Sequence, residues 1–179
     1  MFRTLALAAG IGAASAEPMV TGGSLKLSWS DCGSGHGHVH TIEPSTLTLG
    51  QLTKIVGKGS VDVEVTGGEY EVLLYKGSTK IVDHKGDLCK PAEVGFPGVG
   101  KMSWAGFKCP VKAGNVELDL DVSLSSLIPA GLATGTLYLK GHSVHGYNLL
   151  CVKVDITQSE TPVVEDTKEP RAANTSILV

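Results

Sequence analysis

The pattern of this 179-residue chain predicts an all-β fold, an antiparallel β-sandwich of about seven or eight short strands. Three observations predict it. Several runs alternate apolar and polar residues with a strict period of two, most clearly Val116-Glu117-Leu118-Asp119-Leu120-Asp121-Val122-Ser123-Leu124, the pattern of a strand with one dry face. Glycine, proline and asparagine fall between the runs and supply turns. No stretch has the i, i+3, i+4 apolar spacing of an amphipathic helix.

Taken in order, residues 1–16 read as a signal peptide. Arg3 supplies a basic start, Leu5 to Ala14 an apolar run, and Ala14-Ser15-Ala16 a small-residue cleavage site before Glu17. That run is too short to span a bilayer, which takes about 20 apolar residues. The expected domain covers 17–157. Ser24-Leu25-Lys26-Leu27-Ser28-Trp29 alternates as a strand leading to Asp31-Cys32-Gly33. A glycine-rich turn precedes an extended segment from His38 to Ile42, which Pro44 stops. Thr46 to Leu49 ends at Gly50, and Thr53 to Val56 at Gly57. Val61 to Val65 alternates strictly, and Gly67-Gly68 reads as a two-residue hairpin turn into Tyr70 to Tyr75. Ile81-Val82 is a shorter extended piece. After Ala113-Gly114-Asn115 comes the alternating run at 116–124, broken by Pro129 and Gly131. Thr136 to Lys140 and Leu150 to Ile156 complete the set. From 158 to 179 the chain is rich in Glu, Thr, Pro, Lys and Asp without period, the signature of a disordered tail. The sequon Asn174-Thr175-Ser176 lies in it.

The net charge of -3 and the lack of a basic block argue against a nucleic-acid partner. Four cysteines in a chain with a secretory leader imply two disulfides. Three pairings are possible, of which the nested one, Cys32–Cys151 with Cys89–Cys109, is favoured; the absence of a C-x-x-C pair disfavours zinc. No catalytic constellation emerges, and no cofactor motif. Asp62, Glu64, Asp119 and Asp121 occupy the outward positions of alternating strands, where solvation explains them.

Two stretches stand apart. Cys89 to Cys109 carries Phe96, Val99, Met102, Trp104 and Phe107 on a frame rich in glycine and proline, although aromatics make up only 5% of the chain. It reads either as a tethered flap that meets an apolar partner or as a loop folded over its own core. On the first reading Phe96, Met102, Trp104 and Phe107 contact a membrane, with Trp104 as the tip beside Lys101 and Lys108. The second stretch is His36-x-His38-x-His40, whose period would put three imidazoles on one face of a strand, as copper or zinc requires. Partly exposed histidines need no metal, and with His142 and His145 they could instead respond to pH, tightening docking in acid. Inward positions such as Val65, Val72, Leu74, Leu120, Val122, Leu137 and Leu139 are aliphatic. They make either a solid core or, if the sheets splay, a site for an acyl chain or sterol.

The order Leu27-Ser-Trp-Ser-Asp-Cys-Gly33, Asp87-Leu-Cys89, Cys109-Pro110, Ile128-Pro129 and Leu150-Cys-Val-Lys-Val154 resembles the ML-domain lipid-recognition family over about residues 24–157. The long segment between the central cysteines and Thr134-Gly-Thr-Leu-Tyr-Leu139 are closest in layout to its ganglioside-activator branch, without the additional disulfides of that branch. The resemblance implies an immunoglobulin-like sandwich with a lipid cavity between its sheets and the same nested disulfides. By position it maps pocket residues onto Val63, Ile81, Ile128, Pro129, Val152 and Val154. It implies a non-enzymatic protein that extracts, carries or presents a sterol, glycolipid or phospholipid. Its partners would be the lipid, transiently a membrane surface, and a lipid-processing enzyme or receptor. The compartment would be extracellular or the endosomal, lysosomal or vacuolar lumen. An immunoglobulin-like recognition module without lipid and a histidine-rich metal protein are the competing readings.

Overall fold

The computed structural model describes residues 18–159, so the segment expected to be a signal peptide and all but the first residues of the expected tail lie outside the described residues. Alternating runs become long strands: β2 (Ser24–Asp31), β3 (Gly37–Glu43), β5 (Leu52–Val61), β6 (Gly68–Lys76), β7 (Thr79–Asp87), β10 (Gly114–Leu124), β12 (Gly135–Ser143) and β13 (Asn148–Gln158). Short strands fill the gaps: β1 (Met19–Thr21), β4 (Thr46–Thr48), β8 (Ala92–Phe96), β9 (Gly100–Trp104) and β11 (Leu127–Pro129), the last followed by a 3-10 turn at Ala130–Leu132.

The strands form two antiparallel sheets packed face to face. One runs β4-β2-β13-β12-β6-β7 and the other β3-β5-β10-β9-β8, with a small ribbon of β1 and β11 across one end. Directly opposed residues share a face, so register assembles apolar rows. Leu74, Leu137, Val154 and Trp29 are successive partners across β6, β12, β13 and β2. On the other sheet Ile55, Leu120, Trp104 and Ala92 line up across β5, β10, β9 and β8. The disulfides are Cys32–Cys151 and Cys89–Cys109, closing 119 and 20 residues of sequence. In the chain-entropy picture these loops correspond to about 5 and about 3 kcal/mol.

Four local expectations are corrected. Val61 to Val65 is not one strand: β5 starts at Leu52, passes through Gly57 and Gly59, and ends at Val61. A Cβ at Gly59 would lie 2.3 Å from the His38 carbonyl oxygen, beside a register shift in β3, so glycine is required inside this strand. Gly67-Gly68 makes no hairpin, because β5 and β6 belong to different sheets. Val65 instead exchanges backbone hydrogen bonds with Val111 (2.8 and 2.9 Å) as the chain crosses over. The hairpin partner of β6 is β7, nine residues long, joined through Gly77 at φ 58°. Finally, Cys89 to Cys109 contains the β8–β9 hairpin, with Val94 opposite Met102 and Ala92 opposite Trp104. The last strand reaches Gln158, and the Ser159 amide donates to the Ser24 carbonyl at 2.9 Å.

Candidate lipid cavity

Interiors of ordinary domains are filled to crystal-like density. Between these sheets there is a cavity of about 220 Å³. Its walls follow from period two. Leu25 and Leu27 of β2, Val72 and Leu74 of β6, Leu137 and Leu139 of β12, and Val152 and Val154 of β13 face it from one sheet. Ile55, Leu118, Leu120, Val122, Val94 and Met102 face it from the other. The inner face of β5 carries Gly57 and Gly59 after Ile55, so part of that wall has no side chains. An enclosed apolar cavity of about 150 Å³ stays dry and already accepts benzene.

At the disulfide end an aromatic cluster closes the space. Trp104 sits edge-to-face with Tyr70 (5.2 Å, 82°) and with Phe107 (5.5 Å, 81°). The Tyr70 hydroxyl and His84 Nε2 are hydrogen-bonded at 3.0 Å, and burial pushes the Tyr70 phenol above its ordinary pKa. The Trp104 indole nitrogen is buried without a hydrogen-bond partner among the described residues.

Of the residues expected at the lipid site, Val65, Val72, Leu74, Ile81, Leu120, Val122, Leu137, Leu139, Val152 and Val154 line this cavity. Val63, Ile128 and Pro129 do not. Val63 lies in the crossover after β5. Ile128 is 0% exposed and packs into the core beneath the β1–β11 ribbon, with Pro129 beside it in β11. The residues expected at a membrane contact also meet this cavity. Phe96, Met102, Trp104 and Phe107 all belong to the cavity wall, and Met102 is only 7% exposed. The reason is an alternation hidden among glycines. Ala92-Glu-Val-Gly-Phe96 and Gly100-Lys-Met-Ser-Trp104 each place their large apolar residues at every second position, hence on the inner face. Lys101 is paired with Glu93 at 2.7 Å. Leu25, Leu27, Trp29, Ile55 and Leu118 are wall residues that the sequence reading left unassigned; the alternation of Ser24 to Trp29 is the signal that could have found the first three.

The histidine motif does not assemble. His36 Nδ1 meets Asp62 Oδ1 at 2.8 Å, and His40 Nε2 meets Ser60 Oγ at 3.2 Å. His38 is exposed on β3. No group of three or more potential ligands is placed to hold a metal among the described residues.

Comparison with known proteins agrees with this architecture. The ML domain model matches residues 26–158. A phosphatidylglycerol/phosphatidylinositol transfer protein of Mycosarcoma maydis is 30% identical over 133 residues, covering 72% of this chain and 64% of that one. A putative phosphatidylglycerol/phosphatidylinositol transfer protein 2 of Dictyostelium discoideum is 25% identical over 132 residues, covering 72% and 84%. The Niemann-Pick type C2 protein from the Japanese carpenter ant superposes with a TM-score of 0.52 at 19% identity, over 73% of this chain and 98% of that one. This last likeness speaks to the fold. With the matched span covering β2 through β13, the chain belongs to the ML-domain family.

Proposed function

We propose that this protein binds a membrane lipid in the cavity between its sheets and carries it between membranes, without altering it chemically. The observation that carries the reading is the hollow interior: about 220 Å³ walled by aliphatic side chains from both sheets. The ligand class is a glycerophospholipid with its acyl chain inside. The names of the Mycosarcoma and Dictyostelium relatives support phosphatidylglycerol or phosphatidylinositol within that class. The working compartment is oxidising, in keeping with two disulfides.

The energetics suit a carrier. Each buried CH2 is worth about 0.8 kcal/mol relative to water, so a lipid rarely waits in solution. Moving it from a bilayer into a dry apolar pocket forfeits little of that sum, and exchange between the two is close to balanced.

The test is transfer of a fluorescent phosphatidylglycerol between vesicles by the wild type and by Val154→Trp. Val154 faces the cavity, and the larger ring would occupy the space. The variant should retain a folded β spectrum and lose most lipid uptake. Equal uptake by both proteins would overturn the reading.

A further inference from the structure

The two ends of the sandwich differ in chemistry. Four segments of the chain carry no charged residue: 18–25, 44–53, 94–100 and 122–139. The fold brings all four to one end. Backbone hydrogen bonds tie them together, Gly22 N–H to Ser126 O (3.2 Å), Leu49 N–H to Gly23 O (3.0 Å), Gly50 N–H to Leu124 O (3.1 Å) and Ser125 N–H to Val99 O (2.8 Å). Both disulfides lie at the opposite end, where Cys32 N–H donates to Cys151 O and Phe107 N–H to Leu88 O.

This neutral cap also presents large apolar side chains to solvent. Leu52 is 68% exposed, Met19 50% and Leu127 47%. Met19 and Leu127 stand on the same outer face of the β1–β11 ribbon, whose inner residue Ile128 is fully buried. Exposed apolar groups clustered in one place on a secreted-type domain mark a surface that meets something. The cavity reaches the same end, where Val99, Leu132 and the exposed Thr134 belong to its lining. At the margin of the cap, Lys26 on β2 and Lys76 at the end of β6 are exposed, and neither has a carboxylate partner among the described residues.

We propose that this cap, with Leu52, Met19 and Leu127 as its inserting side chains, is the surface by which the protein docks on a phospholipid bilayer. The inference rests on the lipid-carrier reading and gives it a direction. A neutral surface inserts among headgroups without desolvating charge. Two lysines at its edge, without a carboxylate partner among the described residues, match the anionic surface of a membrane, in a chain whose net charge is -3. Docking there sets the cavity end at Val99, Leu132 and Thr134 against the bilayer, and the lipid passes without crossing water.

The full-length protein has no free cysteine among the described residues, so a single thiol can be labelled. Leu52→Cys and, as a control at the other end, Val144→Cys (a site 64% exposed) are each coupled to an environment-sensitive fluorophore. On adding phosphatidylcholine vesicles containing phosphatidylglycerol, emission at position 52 should shift to the blue and that at 144 should not. Leu52→Asp with Leu127→Asp should weaken vesicle binding and transfer by on the order of tenfold per side chain, while lipid bound at equilibrium, read by native mass spectrometry, stays at the wild-type level. Leu52→Gln serves if the double variant unfolds, and should lower transfer in the same direction. Equal shifts at both positions, or unchanged transfer by a folded variant, would overturn the docking surface. So would a blue-shifted label at 52 before vesicles are added: concentration-dependent, it means a second copy covers the cap; concentration-independent, a segment of the same chain does. Loss of docking with lipid still bound leaves the carrier reading standing, whereas absence of bound lipid in the wild type overturns that reading alone.

Discussion

Gly86 and Tyr70 show how single residues shape one end of the hollow. A Cβ at Gly86 would lie 2.5 Å from the Tyr70 hydroxyl, so the ring occupies the space that a side chain on β7 would need. The expected result of Gly86→Ala is a displaced Tyr70, a broken contact with Trp104 and a loss of about 1–3 kcal/mol, measured by chemical denaturation. Asp155 makes a different kind of contribution. Lys153 Nζ (2.8 Å) and Thr136 Oγ1 (2.9 Å) both donate to its carboxylate and hold its pKa below the ordinary value. A depressed folded-state pKa means that the stabilisation is present above the unfolded value of about 3.9 and fades as pH falls through the folded value. Asp155→Asn should therefore lower the melting temperature equally at pH 7 and pH 5, with the gap closing toward pH 3. A gap that widens in acid would contradict this sign.

Among the elements, the β8–β9 hairpin is the one whose role changed most between sequence and structure. Its apolar residues look exposed in sequence because Gly95, Pro97, Gly98 and Gly100 interrupt them. Pairing along β10 turns them inward instead, Trp104 opposite Leu120 and Met102 opposite Val122. Trp104 thus lines the cavity while remaining partly exposed. In a Trp29→Phe background, loading with a phospholipid brominated on its acyl chain should quench Trp104 emission with no vesicles present. Quenching only when vesicles are added would return Trp104 to the membrane surface. The strands of β10, β12 and β13 were legible because their period of two is unbroken, and so were the facing directions of Leu120, Leu137, Val152 and Val154. The alternation in Val61 to Val65 was equally clear and misleading. Local pattern specifies that a face is dry, but not which sheet a strand joins, and the crossover after Val61 depends on distant partners such as Val111. Ile128 lies away from the cavity lining, and its place was hard to read for a related reason. Full burial serves a solid plug as well as a cavity wall, and only the ribbon's position over the end of the sandwich separates the two.

Across the whole molecule, the fold separates covalent reinforcement from the surface through which lipid is proposed to move. The Cys32–Cys151 and Cys89–Cys109 bridges hold one end. Among the described residues the other is built from uncharged segments, with Lys26 and Lys76 at its margin, and ends in exposed Leu52, Met19 and Leu127. Between them lies the hollow, and lipid carriage requires that it be occupied. The most direct measurement is native mass spectrometry of the protein purified without detergent, with lipids in an organic extract identified from the same sample. The expected result is a species heavier than the chain by the mass of one glycerophospholipid, which collapses to the bare mass in Val154→Trp. A bare chain in the wild type, both as isolated and after incubation with phosphatidylglycerol vesicles, would contradict it.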